Sequence, residues 1–562
     1  MADIVQLETD IKEIIDELKG ICQTAGLTGS AAEEVVITST FLYKFLNDKF
    51  MWNLESLAKE YNMTSKQLME NEDAMDSFYD TYANDVAFEK EDTIAYLATK
   101  VNEDKFYKTF DDTLEHISNN PKNKDFSIVT ADGESKPLFT RITENVETSK
   151  RNNFAKSLFA KISKSKFDFG EAFEDNFDFY STIFEYLIKD YNVASGTYAE
   201  YFTPQAVSKI IAKILVNMSP VEDTLYEIYD PSAGSGSLVL HLANALGNGT
   251  FGNKARVYTQ DISQKSTRFL RLNMMLNGLT ESLDNIIEGD TLLSPAHYEK
   301  AGDSNSGLKH FDYITSNPPF KMDFSSTRNL IESKWAGSER FKQGVPSIPD
   351  KKKESMAIYL LFIQHILYSL KENGKAAIVV PTGFLTASER SVKIAYDIRK
   401  KLIDNKWLKG VISMPPNIFA NTGTNVSILF IDKGNKVDES DKESGKVILI
   451  DASKLGEKVK VDKNNQRIVL RSDEIEKIEN TFINKDVIDD FSVLVTYDQI
   501  KEKNYSFSAG QFFEVKIEYV ELTPEEFEAK MNEYKNNLAE LFAEGSKLEK
   551  DIQKSLEGLK YE

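Results

Sequence analysis

A single cysteine, Cys22, is all the thiol this 562-residue chain carries. No intrachain disulfide can form, and five histidines without cysteine companions give no spacing for a structural metal site, so no metal is expected. No run of 18 apolar residues is present, and the opening "MADIVQLETDIKEIIDELKG" is acidic and amphipathic, without the apolar centre of a secretion signal. A soluble, cytoplasmic protein with no membrane partner is expected. Positive charge is also short: 68 Lys and Arg stand against 89 Asp and Glu, a formal charge of -21. Such a surface cannot grip a polyanion everywhere, because Lys and Arg supply most non-specific affinity for phosphate. Any contact with nucleic acid must be local or borrowed from a partner. One stretch, Lys321 to Lys353, runs the other way, with eight basic residues (Lys321, Arg328, Lys334, Arg340, Lys342, Lys351, Lys352, Lys353) against four acidic ones. It reads either as a solvated loop or as a surface for a polyanion.

What is present is enough apolar material, 41% of residues, for two to four folding units. Residues 1–165 carry helical spacing, as in "EEVVITSTFLYKFLNDKFMWNLESLAKEYN", and no catalytic pattern. Residues 166–435 form the second unit. Helical stretches there alternate with short apolar runs: "LYEIYD", "ARVYTQD", "NIIEGD", "FDYITSN", "KAAIVVP" and "KGVISMP". That alternation predicts a Rossmann-like, doubly wound α/β domain with a mainly parallel sheet, whose ligands bind at carboxyl strand ends.

Residues 436–562 are charged and less regular, and they close with a long helix over 523–562. Thr523, Pro524 and Glu526 specify its start as N-cap, first helical position and capping-box partner. Phe527, Met531, Tyr534, Leu538, Leu541, Gly545, Leu548, Ile552, Ser555 and Leu559 follow a 4-3 spacing, a coiled-coil-like seam with two weak positions. The helix either docks on its own domain or pairs with a helix of another chain.

The first run of the α/β domain leads into "DPSAGSGSLVL", beginning at Asp230. Gly234 and Gly236 permit a tight turn and close approach to a ligand at a helix start. The third glycine of a dinucleotide fingerprint is missing, since Val239 stands there. About 25 residues on, Asp261 ends the next run, placed to accept hydrogen bonds from both hydroxyls of a ribose. Asp290, after the third run, suits an adenine amino group or simply a turn. Upstream, "AEYFTP" marks a helix start, with Pro204 suited to the first helical position.

The fourth run ends in Asn317-Pro318-Pro319-Phe320. The two prolines remove backbone donors and fix φ, so the chain leaves the sheet in one stiff conformation. An exocyclic base amine is a poor nucleophile because its lone pair is delocalised into the ring. The Asn317 side-chain oxygen and the Pro318 carbonyl could accept both amine protons and draw the nitrogen towards tetrahedral geometry, while Phe320 stacks on the base.

The ordered pair "DPSAGSGS" and "NPPF" resembles the amino-methyltransferases that move a methyl group from S-adenosylmethionine to N6 of adenine in DNA. "AEYFTPQAV", "FDYITSNPPF", "AIYLLFIQHILYSLKENGKAAIVVP", "VISMPPNIFANTGTNVSILFID", "FLYKFLNDKF" and "NYSFSAGQFFEV" are similar to segments of the modification subunit of type I restriction-modification systems, over nearly the whole chain. The resemblance implies that Glu200, Tyr201, Phe202, Thr203, Pro204 and Gln205, with Asp230, Gly234, Ser235, Gly236, Ser237, Asp261 and Asp290, hold S-adenosylmethionine. It implies that Asn317, Pro318, Pro319 and Phe320 hold an adenine flipped out of double-stranded DNA. Ala199 and Gln205 stand where the family usually has glycine and arginine.

The same resemblance implies a separate DNA specificity subunit, gripped partly by the last helix, with two copies of this chain to one such subunit. There is no G-x-x-x-x-G-K-[ST] pattern, so a restriction and translocation subunit would be a third partner. Asn-Pro-Pro logic serves N4 of cytosine and a protein glutamine amide equally well, and a catalytically silent assembly subunit would keep the same motifs.

Overall fold

The computed structural model describes residues 2–129, 135–164, 169–170, 203–247, 254–419, 424–437, 445–460, 466–513 and 523–557. Its chain contacts group into two units, Met1–Phe512 and Phe513–Glu562. Glu200, Tyr201 and Phe202, with Ala199, lie outside the described residues.

The first part of the larger unit is helical. Helices α1 (Ala2–Ala25) and α2 (Ala31–Glu60) are followed by shorter ones, among them α3 (Phe106–Asn119) and α4 (Arg151–Ile162). Ser30 starts α2 by accepting the Glu33 N–H at 3.2 Å, and the Glu33 carboxylate takes the Gly29 N–H at 2.6 Å. In α3 the residues Phe106, Phe110, Leu114 and Ile117 are all fully buried, one stripe at helical spacing. Phe106 meets Phe159 of α4 edge to face at 5.3 Å.

A nine-stranded sheet organises the rest of this unit. Its strands are β1 (Tyr226–Asp230), β2 (Ala255–Asp261), β3 (Ile286–Glu288), β4 (Phe311–Ser316), β5 (Leu370–Pro381), β6 (Leu408–Ser413), β7 (Val426–Asp432), β8 (Lys446–Asp451) and β9 (Ser492–Thr496). They lie in the order β9-β8-β6-β7-β5-β4-β1-β2-β3. The six apolar runs read from the sequence are β1 to β6. Neighbours from β3 to β5 are parallel, β7 is inserted antiparallel between β5 and β6, β8 is parallel to β6, and β9 is antiparallel to β8. The sheet is therefore mixed, and β8 and β9 come from beyond residue 435. Helices α5 (Gln205–Asn217), α6 (Ser237–Leu246), α7 (Gln264–Leu276) and α8 (Tyr359–Ser369) flank the strands.

The strand order reverses between β1 and β4, which opens a crevice at their carboxyl ends. Arg271 of α7 is buried and donates to the carbonyls of Leu283 at 2.5 Å and Ser127 at 2.6 Å. It thereby ties the helical region to the sheet.

The smaller unit contains α9 (Pro524–Glu557), 34 residues long. Its capping box forms as expected: Glu526 accepts the Thr523 N–H at 2.9 Å, and Thr523 Oγ1 accepts the Glu526 N–H at 3.3 Å. Phe527, Met531, Tyr534, Leu538, Leu541, Leu548 and Ile552 are all exposed. Among the described residues, no helix is long and apolar enough to cross a membrane.

Candidate active site

A cavity of about 230 Å³ opens at the crevice. Asp230, Gly234, Asp261, Asp290, Asn317, Pro319 and Thr203 contribute to its wall, so residues nominated from five separate stretches of sequence meet around one space.

The loop after β1 turns through two glycines with positive φ, +54° at Gly234 and +88° at Gly236, before α6 begins at Ser237. A side chain at Gly236 would place its Cβ 2.2 Å from Leu270 Cδ1, so at this positive φ the position admits only glycine unless the Leu270 side chain moves. Asn273 of α7 holds the loop from behind, donating from Nδ2 to the Ser235 carbonyl at 2.8 Å. Sequence reading missed this asparagine, which sits inside a helix with no motif around it.

Four aspartates line the cavity, and three of them, Asp230, Asp261 and Asp290, sit at or just after the ends of β1, β2 and β3; the fourth is Asp323. Asp230 accepts the Ser232 N–H at 2.9 Å. Burial, reinforced by the neighbouring Asp261, pushes its carboxyl well above the usual range. Asp261 accepts the N–H of Gly234 through Oδ2 and of Ser263 through Oδ1, both at 2.8 Å; burial raises this carboxyl too, against those two hydrogen bonds. Each oxygen keeps a further lone pair for a ligand donor. Asp290 Oδ1 accepts the N–H groups of Leu292 and Leu293 at 2.9 and 3.1 Å. It forms the turn expected of it and also lines the cavity. Thr291 fastens this turn to the glycine loop, donating to the Pro231 carbonyl at 2.7 Å.

Ile262 was also missed. It follows Asp261, it is apolar, and it is 60% exposed on the cavity wall. An apolar side chain left open beside a buried carboxylate suits the face of a flat, partly polar ligand.

On the acceptor side, β4 ends at Ser316, whose hydroxyl lies 2.7 Å from that of Ser232. Asn317 follows, half-buried, and its Nδ2 donates to Thr203 Oγ1 at 3.1 Å. The Asn317 oxygen is therefore the atom left for a ligand. Pro318 is buried, and among the described residues no hydrogen bond ends on its carbonyl. Phe320 is half-buried and meets Tyr359 edge to face at 6.4 Å. The upstream segment sits close by: Ser237 Oγ reaches the Thr203 carbonyl at 3.5 Å, and Pro204 accepts the N–H groups of Val207 and Ser208 at 2.9 and 3.1 Å. Pro204 stands just before α5 and Gln205 is its first residue, one position later than expected.

Residues 322–358 close the cavity from outside. Met322, Asp323, Phe324, Ser326, Thr327, Ile331 and Ile358 line it, and Phe324, Ile331, Phe341, Met356 and Ile358 form a small core with Leu292. Arg340 anchors this segment. Fully buried, it donates to the carbonyls of Thr291 at 2.7 Å and Leu292 at 3.0 Å and to His365 Nδ1 at 3.1 Å, and it packs on Trp335 and Phe341. Arg328 pairs with Glu332 and Lys342 with Glu339, while Lys334 donates to the Leu293 carbonyl. Of the eight basic residues counted in the sequence, Lys321, Lys351, Lys352 and Lys353 remain exposed without such an anchor.

The profile of the family described as N-6 DNA Methylase matches residues 175–519. The MpnII methylase subunit of a type I restriction enzyme of Mycoplasma pneumoniae is 28% identical over 544 residues, which span 92% of this chain and 90% of that protein. The corresponding HindI subunit of Haemophilus influenzae is 24% identical over 396 residues, 68% of this chain and 79% of that protein. Among solved structures, the methyltransferase subunit of a type I restriction-modification system from Streptococcus thermophilus superposes with a TM-score of 0.61 at 20% identity, covering 90% of this chain and 99% of that one. This last likeness establishes the shared fold.

Proposed function

The chain belongs to the N-6 DNA methylase family, and from that premise we propose that it is the modification subunit of a type I restriction-modification complex, methylating adenine N6 in double-stranded DNA with S-adenosylmethionine. The residues around the cavity fit that cofactor. Carboxylates at the ends of three strands, a glycine loop at a helix start and an exposed isoleucine provide acceptors for hydroxyls and amines together with an apolar face. Asp261 would take the ribose hydroxyls and Asp290 the adenine amine. The loop from Asp230 to Ser237, with Glu200 to Gln205, would hold the remainder. When bound, the cofactor supplies a methyl group on a positively charged sulfur.

The observation that carries the acceptor half is the use of the Asn317 amide nitrogen by Thr203. It leaves Oδ1 beside the cavity as an acceptor, next to the stiff carbonyl of Pro318, on which no hydrogen bond ends among the described residues. Two acceptors on one amine draw its lone pair out of conjugation, and Phe320 offers a ring to the extruded base. No prior deprotonation is needed, because the amine proton becomes acidic once nitrogen is alkylated.

We retain the division into residues 1–165, 166–435 and 436–562, the third part lending β8 and β9 to the sheet. The exposed apolar seam from Phe527 to Ile552 on α9, about 38 Å long at helical rise, suits a helix of a specificity subunit, with two copies of this chain to one such subunit. A restriction and translocation subunit would complete the assembly, and the setting is cytoplasmic.

The test is transfer of a labelled methyl group to cognate DNA by the complex assembled with its specificity subunit, with nucleosides identified by mass spectrometry. N6-methyladenine is expected, and Asn317→Ala should lower its formation by about a hundredfold or more. Equal incorporation by both proteins would sink the mechanism, and N4-methylcytosine would reassign the base.

A further inference from the structure

We propose that Thr203 is a positioning residue for the acceptor amide: its hydroxyl holds the Asn317 side chain with Oδ1, rather than Nδ2, facing the amine of the target base. The inference rests on the reading of Asn317 as an amine-proton acceptor. It gives Thr203 a task beyond the cofactor-holding segment in which its sequence motif places it.

An asparagine amide has two nearly isosteric orientations. One presents an oxygen to the substrate amine and pulls on its protons. The other presents an NH₂ group, donor against donor, and repels the same substrate. The backbone of a Pro-Pro turn fixes where the side chain starts but does not choose between the two faces. That choice needs a partner on the far side.

Among the described residues, the partner is Thr203 Oγ1, 3.1 Å from Nδ2. Thr203 is well placed to be rigid. It is 6% exposed, and its carbonyl receives the Ser237 hydroxyl at the start of α6. It directly precedes Pro204, whose carbonyl is already bonded to two N–H groups of α5. The two partners are 114 residues apart in sequence, so only the assembled fold brings them together. A threonine hydroxyl has one proton and two lone pairs. A hydroxyl can also donate, so it favours this face of the amide only while its proton is turned to the cavity it lines, which leaves a lone pair for Nδ2. The hydroxyl therefore touches both halves of the site, the cofactor cavity and the acceptor amide.

Two variants separate this role from cofactor binding. Thr203→Val keeps the shape and removes the hydroxyl, and Thr203→Ser keeps the hydroxyl. S-adenosylmethionine affinity is measured by calorimetry on the full chain, thermal midpoints are compared, and single-turnover methylation is followed in the assembled complex at saturating cofactor. Thr203→Val should weaken cofactor binding by no more than about tenfold, a loss that saturation removes, and should still methylate about tenfold more slowly at saturating cofactor, while Thr203→Ser should return to within about threefold. A Thr203→Val enzyme at wild-type rate would overturn the inference. So would a defect that disappears when cofactor is raised, or a serine variant as slow as the valine one. If the wild-type complex transfers no methyl group to adenine, the functional reading itself fails, which is a separate result.

Discussion

Asp261 Oδ2 accepts the backbone N–H of Gly234 at 2.8 Å, so the carboxylate that ends β2 is bonded to the loop that ends β1. One side chain thus shapes the glycine turn and faces the cavity. Replacing it should cost more than the proposed ribose contact alone. Asp261→Asn keeps one acceptor oxygen, which must serve either the loop or the ligand. S-adenosylmethionine affinity should fall by about tenfold to a hundredfold, the range for hydrogen bonds to a charged group. Calorimetric titration checks this, and affinity unchanged within error would remove Asp261 from the cofactor site.

Gly236 carries a different constraint. Its φ of +88° disfavours any L side chain, and a Cβ there would lie 2.2 Å from Leu270, itself buried. Gly236→Ala should destabilise the unit by roughly 1 to 3 kcal/mol and displace the loop, with a measurable loss of cofactor affinity. Gly383 supplies the control, since a Cβ there meets nothing within 4 Å and its φ is ordinary. Gly383→Ala should melt with the wild type. Coincident melts and affinities for both variants would show that the Leu270 side chain yields freely.

How much of this was legible in the sequence follows from what each residue type can announce. Glycine and proline punctuate backbone, so "DPSAGSGS" and "NPPF" declare stiff turns, and apolar runs ending in Asp or Asn declare strand ends. β1 to β6 are read this way. Strand direction and neighbours are not, because a run such as "VSILFID" looks alike in either sense; β7 is the antiparallel strand between β5 and β6. β8 and β9 lie among charged residues that mask short apolar segments. The pairing of Asn317 with Thr203 joins distant segments that no periodicity connects. The local basic count was misleading in detail, since Arg340 is buried and three others are anchored by neighbouring groups.

The exposed lysines give a prediction about DNA. Met322 donates its N–H to the Met356 carbonyl at 3.1 Å, which brings the Lys351–Lys353 turn beside the chain leaving the acceptor motif. If these lysines neutralise phosphates, replacing all three with alanine should reduce the slope of log affinity against log salt by about 2 to 3. Measuring binding of the assembled complex to cognate DNA at several salt concentrations tests it. An unchanged slope would place this turn away from the backbone.

Acid stability should depend on the histidines behind the sheet. His297 packs against Tyr229, Tyr258 and Phe311, its Nε2 lies 2.9 Å from the Thr259 carbonyl, and burial pushes its pKa from 6.5 down to about 4. His365, which accepts from Arg340, is shifted in the same direction by burial and by that cation. An unfolded chain takes up protons at these rings below pH 6.5, and the folded one does not until near 4 for His297. The unfolded state therefore binds more protons in that window, and stability falls as pH falls through it, by up to about 1.4 kcal/mol per pH unit for each ring. Asp230 and Asp261 act in the opposite sense, because burial raises their carboxyls and protonation relieves a cost of folding. The raw profile mixes these effects, so the comparison must be between proteins. His297→Gln can keep a donor to Thr259 but cannot titrate, and its unfolding free energy should decline less steeply than wild type between pH 6.5 and 4. Parallel profiles would assign the acid sensitivity to groups other than His297.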